Sequence, residues 1–225
     1  MRFTFVCFAV VFVSAACQLN TKPKRLTPKT ISYLALGDSY TIGESVDEKY
    51  RWPKQLCAQL STSTSIVEST IVAKTGWRTD QLLQSANKRI DNKQYDIVSL
   101  LIGVNNEYQG EDPARYEPKF RACLSFAIKH CKTGKNGVFV VSIPDYGFTP
   151  FGAPNQMKIS ERIAKYNSIC KSVSNEEGIM FINITPISQL GTSQPDLVAT
   201  DGLHPSAKQY KLWVNEIMEY LNFEF

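Results

Sequence analysis

The stretch YLALGDSYTIGES, residues 33–45, begins as an apolar run and breaks off at Gly37-Asp38-Ser39. Tyr33 to Leu36 reads as a strand covered on both faces, and the small and polar residues after it read as a tight turn. A strand that only fills a core can end in any turn. This one ends by placing a hydroxyl, Ser39, just beyond its carboxyl end. Whether that serine is a nucleophile or a turn residue depends on what the rest of the chain brings to it.

Similar apolar runs recur, separated by amphipathic segments. Strands are predicted at Ser32–Leu36, Ile66–Ala73, Asp96–Ile102, Val138–Ile143 and Met180–Ile184. Helices are predicted at Pro53–Leu60, Thr79–Ile90, Pro113–Lys132, Ser160–Glu177 and Ser206–Leu221. Five rounds of strand then helix imply a parallel sheet with helices on both sides. In such open sheets, ligands gather beyond the carboxyl ends of the strands. The segments there read GDSYT, KTGWRTD, GVNNEY and PDYGFTPFGAPN, and TDGLHPS precedes the last helix. The residues able to do chemistry therefore converge on one rim.

A serine there needs a base. The chain has two histidines. His130, in AIKHCK, sits near the end of a predicted helix and reads as a C-terminal cap. His204 lies in DGLHPS, three residues after Asp201, so the carboxylate can hold one ring nitrogen while the other faces Ser39. Attack by a serine also creates an oxyanion that needs donors. Gly76 offers a backbone N–H that no Cβ shields, and Asn105 a neutral amide. Taken singly, Gly76 reads equally as a turn glycine and Asn105 as a cap or turn residue. The four together, in this order on successive strand ends, are the signal.

That order, carried by GDSYT, TG, GVNN and DGLHP, resembles the SGNH (GDSL) hydrolases, from Ser32 to the C-terminus. The resemblance implies an α/β, flavodoxin-like three-layer fold with a five-stranded parallel sheet in order 2-1-3-4-5. It also implies ester hydrolysis through an acyl-enzyme, without metal or organic cofactor. Its pattern makes Ser39 the nucleophile and an oxyanion donor. Gly76 and Asn105 complete the oxyanion hole, and His204 is the base, oriented by Asp201. Two positions depart from the pattern: Asn106 stands where the third block commonly has Asp, and Tyr40 follows the nucleophile in place of Leu. Tyr40, with Tyr146, Phe148 and Phe151 of the fourth loop, is expected to wall the substrate pocket.

The first 17 residues read as a signal peptide: Arg2, the apolar run FTFVCFAVVFV, then SAAC. The run is shorter than the ~20 apolar residues a spanning helix needs. Cys17 after Ser14-Ala15-Ala16 resembles a lipobox, although Ser14 replaces the usual branched apolar residue. Residues 18–30 read as a polar, basic tether and 31–225 as the catalytic domain. These features predict an exported protein, periplasmic or a membrane-anchored lipoprotein if bacterial. The partners expected are a small ester and, through a lipidated Cys17, a membrane; the protein is expected to be a monomer.

Charge excludes another class. Of 25 Lys and Arg, five (Arg2, Lys22, Lys24, Arg25 and Lys29) precede Thr30, so the body is near balance against 21 acidic residues. Nothing there argues for nucleic-acid binding. No strand is followed by a glycine-rich nucleotide motif either. Six cysteines without a CxxC spacing do not suggest zinc. Cys57, Cys123, Cys131 and Cys170 read as buried thiols. Cys131–Cys170 is the disulfide to check, since Cys123 and Cys131 lie ~12 Å apart along one unbroken predicted helix. The substrate classes consistent with this reading are a general ester or lysophospholipid, or else an acetylated sugar. A non-catalytic binding lipoprotein on the same scaffold is the reading from another class.

Overall fold

The computed structural model describes Met1 and residues 28–221. Five strands form one parallel sheet: β1 (Lys29–Gly37), β2 (Ser65–Ala73), β3 (Ile97–Leu101), β4 (Val138–Val141) and β5 (Met180–Ile182), in the order β2-β1-β3-β4-β5. Three short helical turns lie among the longer helices. In chain order the helices are α1 (Ser39–Ile42), α2 (Trp52–Leu60), α3 (Thr79–Ile90), α4 (Val104–Tyr108), α5 (Pro113–Lys129), α6 (Gln156–Glu176), α7 (Thr185–Ser188) and α8 (Ala207–Tyr220). α2 packs on α8, whereas α3 packs on α5 and α5 on α6. Every residue of β3 and β4 is buried, so the sheet is covered on both faces, as continuous apolar strands require. This is the expected three-layer arrangement.

The helices begin where their sequences supply caps. Asp112 accepts from the Ala114 N–H at 2.8 Å at the start of α5, and Ser206 accepts from the Gln209 N–H at 3.3 Å at the start of α8. Pro113 fills the first turn of α5 and Pro53 that of α2, where a missing N–H costs nothing.

The boundaries differ from expectation in instructive places. β1 starts at Lys29, inside the stretch expected to be tether, because Lys29 and Thr30 pair with Ser65 and Ile66 of β2. The sequence 2–27, with Cys17 and its lipobox, lies outside the described residues. α5 stops at Lys129 rather than Lys132. There the chain turns to pair with the lead-in to β3: Tyr95 N–H donates to the His130 carbonyl (2.9 Å) and Lys132 N–H to the Tyr95 carbonyl (2.8 Å). Cys123 and Cys131 thus do not share a helix.

Neither they nor Cys57 and Cys170 form a disulfide; all four are buried free thiols. Burial pushes Cys123 and Cys170 up to about 12, which keeps them neutral and unreactive. His130 caps α5 as expected. It stacks on Phe126 with centroids 4.1 Å apart and places Nδ1 2.8 Å from the Lys93 carbonyl.

The register of the central strands positions the loops. Gly37, the last residue of β1, stands level with Ala73 of β2 and with Leu101 of β3. A Cβ on Gly37 would lie 2.6 Å from the Leu101 carbonyl and closer still to Thr41. Only glycine lets the chain fold back this tightly at the strand end.

Candidate active site

The turn after Gly37 makes Ser39 the first residue of α1, with Asp38 as its cap: Asp38 Oδ1 accepts the Tyr40 N–H at 3.1 Å. Ser39 lines a cavity of about 210 Å³ together with Gly76, Asn105 and His204. The residues expected from four separate segments are therefore brought to one place.

His204 Nδ1 lies 2.7 Å from Asp201 Oδ2, and Asp201 Oδ1 accepts the backbone N–H groups of Leu203 and His204, both at 2.9 Å. A further partner escaped the sequence reading: Ser45 Oγ donates to Asp201 Oδ2 at 2.6 Å. Ser45 holds φ +61, a left-handed conformation that favours glycine. A glycine there would leave Asp201 without that hydroxyl. Burial works to raise the Asp201 pKa, but the hydrogen bonds from Ser45, His204 and Leu203 hold it well below the usual carboxylate range. The carboxylate is thus charged and fixed beside the imidazole. The Tyr40 ring packs against His204 at 5.4 Å between centroids. Ser39 Oγ and His204 share the cavity without a hydrogen bond between them. In resting hydrolases that bond commonly tightens only with substrate present.

Gly76 and Asn105 face the same space for different reasons. Gly76 has φ +82, and a Cβ built there would touch nothing within 4 Å. Backbone conformation, rather than any neighbouring side chain, calls for glycine here. Asn105 Nδ2 donates to the Trp77 carbonyl at 3.0 Å. That bond uses one amide hydrogen, fixes the side chain and leaves the second hydrogen free to donate.

Asn106 is buried and occupied differently. Its Oδ1 accepts the Thr79 N–H at 3.2 Å, and its Nδ2 donates to Thr79 Oγ1 (2.9 Å) and Glu111 Oε2 (2.6 Å). An aspartate could not donate to Glu111. That partner accounts for the departure from the family pattern.

Of the expected wall, Tyr40, Tyr146 and Phe151 line the cavity and Phe148 does not. Tyr146–Phe148 is a single 3₁₀ turn, and at three residues per turn positions 146 and 148 project to different sides. Thr75, Val104, Tyr108 and Leu203 complete the wall and were not singled out in the sequence. Behind it, buried Glu107 receives Arg162 Nε on Oε1 (2.9 Å) and the Tyr146 hydroxyl on Oε2 (2.9 Å). No sequence signal distinguished Glu107 from a solvated residue of a polar loop.

A cavity of this composition, with a carboxylate-held imidazole, a serine and two potential oxyanion donors, is suited to acyl transfer. The sequence profile of the GDSL-like lipase/acylhydrolase family matches residues 35–212. The chain belongs to that family. This GDSL hydrolase acts on ester bonds.

Its fold is similar to that of a lipolytic G-D-S-L family protein from Veillonella parvula (TM-score 0.70, 15% identity, 86% of this chain and 99% of that one). It is also similar to the esterase EstA from Pseudoalteromonas sp. (TM-score 0.63, 17% identity, 84% and 94%). An acetylxylan esterase from Geobacillus stearothermophilus is comparable (TM-score 0.65, 16% identity, 88% and 97%). At these identities the likeness speaks for the fold. No curated protein matches the sequence.

The two neighbouring asparagines of the GDSL hydrolase separate by experiment. If Asn105 donates to a developing oxyanion, Asn105→Ala lowers kcat by about 10²- to 10³-fold with little change in KM. Asn106→Ala lowers thermal stability by ~1–3 kcal/mol through lost buried hydrogen bonds, while kcat per folded molecule changes far less. Enzyme kinetics and thermal unfolding on both variants check this. Greater loss of kcat at Asn106 would reverse the assignment.

Asp38 supplies a second test. It is 0% exposed, and burial raises its pKa from 3.8 to about 7 against the hydrogen bond from Tyr40. Between those values the unfolded chain gives up the proton and the folded chain keeps it. Stability contributed at Asp38 therefore falls as pH rises from about 4 to 7 and is flat above. Asp38→Asn retains an acceptor for Tyr40 and removes the titration. Between pH 5 and pH 8 the wild type should lose stability relative to Asp38→Asn, on the order of a kcal/mol or more. Denaturant unfolding of both proteins at the two pH values measures it; parallel behaviour would refute the buried-acid account.

Proposed function

We propose that the protein is an exported serine esterase that works through an acyl-enzyme. The observation that carries this reading is the arrangement of Ser39, Gly76 and Asn105 around one cavity with an imidazole already held by Asp201 at 2.7 Å. In this mechanism His204 Nε2 takes the Ser39 proton as Oγ attacks the ester carbonyl. The Asp201 carboxylate stabilises the imidazolium that results. The oxyanion is received by the backbone N–H groups of Ser39 and Gly76 and by the Asn105 amide. Collapse expels the alcohol, protonated by His204. Water, deprotonated by the same imidazole, then releases the acid from Ser39.

The cavity's size bears on the substrate. At about 210 Å³ it is smaller than the ~300–1,000 Å³ of pockets that enclose drug-sized ligands. Its wall is largely aromatic and aliphatic. Both features support a short apolar acyl group, as in a small general ester or a short-chain lysolipid. The same dimensions accommodate an acetyl group, so a carbohydrate acetyl esterase is the second reading. A purely binding role is disfavoured because serine, base and orienting carboxylate are all retained.

Export rests on the apolar leader, and membrane anchoring on Cys17 in SAAC followed by a polar tether. In a bacterium with lipoprotein processing, the wild type should fractionate with membranes and Cys17→Ser with the soluble fraction. A soluble wild type would exclude the lipid anchor.

A fluorophosphonate probe tests the mechanism without a choice of substrate. Mass spectrometry should find the adduct on Ser39, and His204→Ala should lower its rate of formation by several orders of magnitude, since triad members act as a unit. Labelling at another serine, or at an equal rate in His204→Ala, would overturn the mechanism.

A further inference from the structure

Three aromatic rings stand between the catalytic cavity and a second depression. Tyr108, Tyr146 and Phe151 lie 6.1–6.4 Å apart, centroid to centroid. Tyr108 and Phe151 are 59% and 50% exposed. All three line both the catalytic cavity and a groove of about 300 Å³ whose other walls include Asn155, Lys158 and Arg162. A ligand bound at Ser39 and extending past these rings enters that groove, and it would cover apolar surface that otherwise faces water.

The groove is unlike the cavity in charge. Glu107, its one carboxylate, is 2% exposed and is answered on both oxygens, by Arg162 Nε and the Tyr146 hydroxyl. Arg162 Nη2 is also committed, donating to the Glu107 carbonyl. The other guanidinium N–H groups are uncommitted among the described residues. Lys158 has no ion-pair partner among the described residues either. It sits in the first turn of the 21-residue helix α6, where no acidic residue occurs and the Asn155 side chain makes no cap, although the Gln156 N–H is taken by the Ala153 carbonyl. The helix dipole disfavours a cation at that end. A lysine there, beside a second cation and an open space, is in a setting that an anion would relieve.

We propose that this groove is an anion subsite, taking a carboxylate or phosphate carried by the ester substrate beyond the aromatic partition. The proposal rests on the esterase reading and narrows it to esters with an anionic arm. Lys158 supplies the charge, Arg162 a directed N–H, and the rings of Tyr108 and Phe151 pack on the linker between ester and anion. Lys158 lies outside the reacting centre, so its contribution is to substrate binding and depends on ionic strength.

The test uses the purified protein and three butyryl esters, of glycerol, glyceric acid and glycerol phosphate, which share the acyl group and a three-carbon alcohol and end in a neutral hydroxyl, a carboxylate or a phosphate. At low salt at least one anionic ester should have a kcat/KM about tenfold above the neutral one, and which one identifies carboxylate or phosphate. Lys158→Glu should lower that anionic-to-neutral ratio by about tenfold or more, through KM, and added salt should lower it in the wild type. Lys165→Glu, on the same helix but paired with Glu161, should leave the ratio where it is. A wild-type ratio of one or less, or a ratio that survives Lys158→Glu, overturns the subsite. If the neutral ester is hydrolysed, or the fluorophosphonate labels Ser39, that failure belongs to the subsite alone. If no ester is cleaved and no label forms, the esterase reading falls and takes the subsite with it.

Discussion

Gly37 is level with Ala73 on one side and Leu101 on the other, and the site depends on that alignment. β1 lies between β2 and β3, at the point where the strand order reverses. The loops leaving these three strands therefore diverge and enclose a crevice. Ser39 comes two residues after the end of β1, Gly76 three after β2 and Asn105 four after β3. A slip of register in either pairing would move Gly76 or Asn105 by about 3.3 Å per residue relative to the serine. Hydrogen-bond geometry does not tolerate that.

Register alone leaves loops free to move, and a second set of bonds ties them to one another. Thr75 donates to Glu44, joining the loops after β2 and β1. Asn105 donates to Trp77 and Asn106 clamps Thr79, joining the loop after β3 to the one after β2. Ser45 reaches the Asp201 carboxylate, joining the first loop to the one that carries His204. Tyr146 and Arg162 converge on Glu107 and fix the aromatic wall. The result is preorganisation: the Asn105 amide, the His204 imidazole and the loops that carry them are held by bonds that do not involve a ligand. Their arrangement then need not be created at the moment of reaction.

Charge within the site is partitioned in the same way. Asp201 is kept ionised by several donors, while Asp38, the residue just before the serine, is buried with one donor and holds its proton up to about 7. Two carboxyl groups of the same intrinsic acidity are driven apart by their surroundings. The ionised one faces the imidazole, and the protonated one caps the turn that presents Ser39.

The fold class was legible in the sequence pattern, and the sheet order in the resemblance that the four motifs carry. Strands buried on both faces are continuous apolar runs, and their alternation with helical patterns leaves few topologies. The positions of Ser39, Gly76, Asn105, Asp201 and His204 were legible because each lies at a strand end or in a short loop before the last helix. Strand ends that converge in space can be read in one dimension. Lys29 and Thr30 were not legible as strand, because what makes them so is pairing with Ser65 and Ile66 across the sheet.

Nor did local pattern reveal Ser45 as a support for Asp201, Glu107 as the anchor of Tyr146, or Glu111 as the acceptor that calls for Asn106. These are contacts between segments as far as 156 residues apart, and the side chains involved look like ordinary polar loop residues. The sequence by itself determined which elements form and which chemistry sits at their ends. The tertiary structure decided what holds Asn106 away from the cavity, which aromatics wall it and which carboxyl group keeps its charge. Burial and long-range hydrogen bonding exist only once the loops have met.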